Sequence, residues 1–136
     1  MNHYIFDASA TASLVLPDES SKKMDKIISE MEEPSTFWVP TLWWSETSNI
    51  LTQAIKQNRI KTNDIDTIQT IFSKLNLVTD VEYNYKYQKE IISLSVKHGL
   101  SSYDATYLEL AMRKGGRLLT LDKKLSKIAK DISGAN

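Results

Sequence analysis

The chain has 136 residues, the length of one domain, and 41% of them are hydrophobic, enough to bury a core. Seventeen basic residues balance seventeen acidic ones, which argues against a protein that grips nucleic acid by bulk charge but leaves local grip open. There is no cysteine, so disulfides and thiolate metal sites are excluded; no apolar run approaches the roughly 20 residues that span a bilayer, no signal-peptide pattern opens the chain, and the expected location is the cytoplasm, away from membranes.

Residues 3–6 (HYIF) form a short apolar strand that ends in Asp7. Residues 8–16 follow as a small helix, with Ser9 available as its cap and Pro17 as its stop. Residues 19–33 are amphipathic, with Met24, Ile27, Ile28 and Met31 inward and Lys22, Lys23 and Lys26 outward, up to Pro34. Residues 37–39 (FWV) are a second strand; Pro40 turns the chain and Thr41 can cap the next helix. That helix, 42–57, carries Trp43, Thr47, Ile50, Leu51, Ala54 and Ile55 on one apolar face, and Glu46 interrupts this face near its start. Asn58 ends it. A further helix, capped by Thr62 or Asn63, presents Ile65, Ile68, Ile71, Phe72 and Leu75. Residues 76–78 read as a third strand with Asp80 just beyond, and 83–98 as a helix with Tyr87, Ile91, Ile92 and Leu94 inward, ended by Gly99.

The segment 101–125, SSYDATYLELAMRKGGRLLTLDKKL, is helix, turn, strand and helix start. Ser101 or Ser102 caps a helix whose Leu108, Ala111 and Met112 recur at helical spacing. Asp104 shares that inward stripe, where an ionised carboxylate is costly without compensation. Gly115-Gly116 ends the helix, and 117–121 (RLLTL) has the size of a buried parallel strand. Asp122 follows at the strand's carboxyl end, the edge where open α/β sheets bind ligands. Residues 123–132 make a last helix. Short strands alternating with helices imply right-handed crossovers and one domain, 1–136, of α/β class: a parallel sheet of four short strands with helices on both faces. A fifth strand would have to come from 131–135, which is poor strand material.

Four carboxylates stand out: Asp7, Glu46, Asp104 and Asp122. Singly, Asp7 and Asp122 serve as helix caps, Asp104 as a first-turn dipole partner and Glu46 as half of an ion pair. Together they call for one cause. Acids a few ångström apart must take up protons or share a cation. Oxygen-only ligation, with no histidine or cysteine nearby in sequence, suits Mg²⁺ or Mn²⁺, which can activate a water and brace a phosphodiester. Ser9 and Thr120 flank the acids and can orient a water or a carboxylate, or serve as cap and strand filler. Arg113, Lys114, Arg117, Lys123, Lys124, Lys127 and Lys130 crowd the late segment. Such a run is ordinarily a solvated face; its closeness to Asp104 and Asp122 makes Arg113, Lys123 and Lys124 candidates for holding RNA phosphates, with Lys114 or Arg117 extending the track. His3 and His98 lack ligand spacing and suit surface or cap roles. Trp43 is expected in the core, and Trp38 and Trp44 on an interface or stacked on bases.

Three stretches, YIFDAS at 4–9, TLWWSETSNIL at 41–51 and LSSYDATYLELAMRKGGRLLTLDKKL at 100–125, resemble in order and spacing the PIN-domain family, and within it the VapC-type toxins of toxin–antitoxin pairs. The resemblance implies a three-layer sandwich and a metal-dependent endoribonuclease, with the family's acidic quartet falling on Asp7, Glu46, Asp104 and Asp122 and its small hydroxyl residues on Ser9 and Thr120. It implies Asp7 and Asp104 as direct ligands, Asp122 completing the site, and Glu46 holding a second ion or the water. It also implies an RNA substrate, a small antitoxin that inserts into the acidic groove, and a homodimer. The family's usual final strand is short or missing here. Two other functions compete: a Mg²⁺-dependent phosphate-transfer domain, disfavoured by Ser9 standing where a second acid is wanted, and a PIN-like scaffold that binds RNA or protein without turnover.

Overall fold

A computed structural model describes residues 2–19 and 21–133. Four strands, β1 (Asn2–Phe6), β2 (Ser35–Pro40), β3 (Leu77–Asp80) and β4 (Arg117–Leu119), form one sheet in the order β3-β2-β1-β4, with every pairing parallel. Seven helices of the described residues connect them: α1 (Ala8–Val15), α2 (Lys22–Ser29), α3 (Thr41–Lys56), α4 (Asp64–Ser73), α5 (Tyr85–His98), α6 (Ser102–Lys114) and α7 (Lys123–Ser133).

The strands are short because they are buried apolar runs bounded by breakers. Ile5, Phe6, Phe37, Val39, Leu118 and Leu119 all lie in the core. Phe37 stacks on both Tyr4 and Phe6, at ring separations of 5.6 and 5.2 Å. Helix α6 packs across β1 and β2 with Ala105, Leu108, Leu110 and Ala111 buried. Two adjacent glycines let α6 turn straight into β4. Gly115 takes the left-handed conformation at φ 60°, and a Cβ on Gly116 would meet Ile5 Cδ1 at 2.5 Å and the His3 carbonyl at 2.9 Å. A second apolar cluster, Ala12, Leu16, Ala54, Ile60 and Ile68, fills the space between α1, α3 and α4. Trp43 is fully buried, with its indole N–H donating to Thr11 Oγ1 at 2.8 Å.

Several local expectations shift. The 19–33 helix shortens to Lys22–Ser29, preceded by a 3₁₀ turn at Pro17–Glu19. Pro40, not Thr41, occupies the cap position of α3, and no side chain caps it. Asp80 lies inside β3 rather than beyond it, because the ladder with β2 runs on to Pro40. Ile92 and Met112 face solvent, each next to a residue, Ile91 and Ala111, that takes the inward position at the edge of the buried stripe. His3 accepts the Trp38 indole N–H on Nδ1 at 3.0 Å. Residues 131–133 continue α7, so the described residues contain no fifth strand; 134 and 135 lie outside them.

Candidate active site

β1 and β4 are neighbours, so the residues just past their carboxyl ends meet. Asp7 leaves β1 in an extended conformation and caps α1, with its Oδ1 accepting the Ala10 N–H at 2.9 Å. The cap expected from Ser9 is therefore Asp7's. Ser9 instead donates its hydroxyl to Asp7 Oδ1 at 2.8 Å and accepts the Leu121 N–H at 3.3 Å. Buried Thr120 also bonds to the Asp7 carboxylate, and its Oγ1 accepts the Asp122 N–H at 3.0 Å. Two hydroxyls thus tie the end of β1 to the end of β4. Asp122 turns its own Oδ1 to the Leu125 N–H at 2.9 Å, opening α7.

The other two acids come from helix starts. Ser101 caps α6, accepting the Asp104 N–H at 3.1 Å, which fixes Asp104 in the first turn. Glu46 projects from the second turn of α3 and accepts the Tyr107 hydroxyl on Oε1 at 2.6 Å. Tyr107 lies one turn beyond Asp104 and is almost wholly buried. Sequence reasoning passed over it, although its spacing from Asp104 puts both on one stripe.

Burial raises the pKa of Asp7, Glu46 and Asp104 from the ordinary carboxylate value. Mutual repulsion adds to it. Asp7 feels Asp104, Glu46 feels Asp7 and Asp104, and Asp104 feels Asp122. Four acids from separate segments therefore share one field. Among the described residues none of the four forms an ion pair with lysine or arginine. Nor do three acids of the described residues close tightly around a single point. An oxygen-only, uncompensated donor set that open fits a hard dication that keeps part of its water shell, as Mg²⁺ does.

The basic residues behave differently from expectation. Arg113 does not face the acids. Its guanidinium bonds to Asp80 at 2.7 and 3.0 Å and to Glu109 at 2.8 and 3.0 Å, reaches Glu82 at 3.3 Å, and lies 4.4 Å from the Tyr87 ring centre. It is internal neutralisation, not a phosphate contact. Lys114 covers the Trp38 ring at 4.0 Å, and Arg117 is exposed at the amino end of β4, away from the acid edge. Lys123 and Lys124 are exposed directly after Asp122, with Lys124 Nζ donating to the Gly99 carbonyl at 2.8 Å.

Residues 4–131 match the PIN domain family. The chain belongs to the PIN-domain family. It is 30% identical over 126 residues to Ribonuclease VapC3 of Pyrobaculum aerophilum, covering 90% of this chain and 91% of that one. Among solved structures it resembles PAE2754 from Pyrobaculum aerophilum, with a TM-score of 0.64 and 22% identity over 99% of this chain and 91% of the other. It also resembles Mycobacterium tuberculosis VapC20, described as a sarcin-ricin loop cleaving toxin, with a TM-score of 0.66 and 14% identity over 92% and 94%. A toxin–antitoxin complex from Klebsiella pneumoniae aligns with a TM-score of 0.62 and 14% identity over 92% of each chain. These neighbours share the parallel α/β sheet of the PIN-domain fold.

Proposed function

We propose that this protein is a Mg²⁺-dependent endoribonuclease of the VapC type, the toxin of a toxin–antitoxin pair, acting in the cytoplasm. The observation that carries the reading is the convergence of four acids, unpaired among the described residues, at the carboxyl edge of a PIN-domain sheet: Ser9 and Thr120 link the Asp7 carboxylate to the segment of Asp122, and Tyr107 links Glu46 to the helix of Asp104. The 30% identity with a protein named as a ribonuclease supports it. Asp7 and Asp104 would hold Mg²⁺ or Mn²⁺, with Asp122 completing the set and Glu46 orienting the attacking water or holding a second ion. When bound, such an ion lowers the pKa of a water and neutralises charge on the phosphodiester. Ser9 and Thr120 fix the Asp7 carboxylate by hydrogen bonds, and Tyr107 fixes Glu46. Lys123 and Lys124, exposed directly after Asp122, would hold RNA phosphates, Lys124 after giving up its bond to the Gly99 carbonyl.

The same reading includes a homodimer and a small antitoxin partner. Tyr85, Ile92 and Val96 form one exposed stripe on α5, and Trp44 is half exposed, which is apolar surface for such contacts. No described helix is long and apolar enough to cross a membrane.

The test compares wild type with Asp104→Asn on cellular RNA, mapping new 5′ ends by sequencing. Discrete cuts are expected from wild type with Mg²⁺, and none with chelator or from Asp104→Asn, whose circular dichroism should match wild type. Equal cutting by Asp104→Asn, in a preparation free of contaminating nuclease, refutes the reading.

A further inference from the structure

A groove of about 570 Å³ opens beside the acids. Its inner end is Ser9 and Leu121, the pair hydrogen-bonded across the ends of β1 and β4 next to Asp7. Its wall is α3, which contributes Asn49 and Gln53, with Gln57 at the cap position just past its end. These three follow Glu46 at intervals of three, four and four residues, so all four lie on one helical stripe. The stripe begins as an acid in the candidate catalytic centre and continues as a row of carboxamides. All three carboxamide residues are exposed, and none has a side-chain hydrogen bond among the described residues.

The groove's charges are accounted for. Arg59, at its far end, is held by Asp18 at 2.6 and 2.7 Å and by Glu19 at 3.2 Å. Burial does not explain the row, and neither does phosphate binding, which calls for free lysine or arginine. Carboxamides carry one acceptor and two donors each, the complement of a base edge rather than of a phosphate. Along a helix they recur about every 6 Å, one turn apart, a step comparable with the reach between splayed-out bases of an unstacked strand. Ala12 and Ile50 add apolar lining against which base faces can lie.

Resting on the nuclease reading, we infer that this groove is the sequence-reading subsite: it takes single-stranded RNA next to the cut phosphodiester, and Asn49, Gln53 and Gln57 read successive unpaired bases. Asn49 reads the base nearest the cut and Gln57 the farthest. Specificity then comes from α3 and chemistry from the acids, with one helix serving both.

The test uses a hairpin RNA whose loop is randomised. Wild type should cut a preferred subset of loops. Gln53→Ala should lower cleavage of that subset about tenfold and flatten the preference at one loop position, so that the ratio of preferred to disfavoured cutting there falls toward one. Asn49→Ala and Gln57→Ala should flatten the positions on either side. A second arm needs no cleavage: a labelled single-stranded RNA of the preferred loop sequence, or a randomised hexanucleotide if wild type cuts nothing, is titrated with Asp104→Asn protein by fluorescence anisotropy. Gln53→Ala in that background should weaken binding about tenfold. Loss of binding without any wild-type cleavage would defeat the nuclease reading and keep the groove. Wild-type cleavage with a preference and an affinity that all three variants retain would overturn the groove and keep the nuclease, leaving this wall to a protein partner.

Discussion

Helix α6 touches two groups of carboxylates, and the two are treated in opposite ways. At its start, Asp104 joins Asp7, Glu46 and Asp122, and none of them has a basic partner among the described residues. In its last turns, Glu109 joins Asp80 and Glu82, and Arg113 bonds to all three. Both groups lie by the carboxyl ends of parallel strands. Both combine buried and partly exposed acids. The fold therefore neutralises buried acid toward one end of α6 and leaves it unneutralised at the other. An uncompensated cluster next to a compensated one on the same helix is the contrast that the proposed metal dependence requires.

The sharpest way to break that contrast is to remove the internal cation. Arg113→Ala leaves Asp80 and Glu109, both nearly inaccessible, without a counter-charge. Unpairing a buried ion costs about 3–5 kcal/mol, a large part of a small domain's stability. Urea unfolding should show a loss of that size, and a change below about 1 kcal/mol would mean the network is solvated. RNA cleavage by the variant, measured cold enough to keep it folded, should stay near wild type, since Arg113 is engaged away from the quartet.

A smaller effect is expected at Tyr107→Phe, which keeps the ring and removes one hydroxyl. Glu46 would lose its only side-chain donor among the described residues. Groups that orient a ligand rather than bind the reactant typically cost about tenfold when removed. The loss should appear as a higher Mg²⁺ concentration for half-maximal rate, with the KM for RNA and the melting temperature little changed. A loss confined to stability would make Tyr107 a core residue and nothing more.

Much of this contrast is legible in the chain and part is not. Asp7, Asp104 and Asp122 stand at local landmarks, a strand end, a capped helix start and a second strand end, where each alone also reads as an ordinary cap or dipole partner and only the set draws notice. Strand positions follow from apolar runs between breakers. Arg113 misleads because its neighbours Lys114, Arg117, Lys123 and Lys124 make it look like one member of a solvated basic run. Only the passage of α6 over the sheet brings Asp80, 33 positions away, to its guanidinium. The carboxamide row escapes notice because polar residues on the outer face of a helix are ordinary until a groove is seen beside them. Ile92 and Met112 mislead for a third reason: each belongs to an adjacent apolar pair, and periodicity alone does not choose which member turns inward.

The smallest effect tests the repulsion itself. Folding raises the pKa of Asp7, Glu46 and Asp104, chiefly by burial. Between the ordinary carboxylate range and those raised values, the metal-free folded chain binds more protons than the unfolded one. By linkage this contribution to stability is present at the acid end and is lost as pH rises through the raised values. Asp104→Asn removes one repelled charge. Without metal, its melting temperature should match wild type at the acid end and exceed it by roughly a few degrees once pH has risen through the raised values. Millimolar Mg²⁺ should reverse the order, because a ligand that binds only the folded state stabilises the protein that holds it better. If the Asp104→Asn variant gains nothing above those values without metal, the acids do not repel one another. If Mg²⁺ then leaves wild type where it was, the contrast between the two ends of α6 has no electrostatic content.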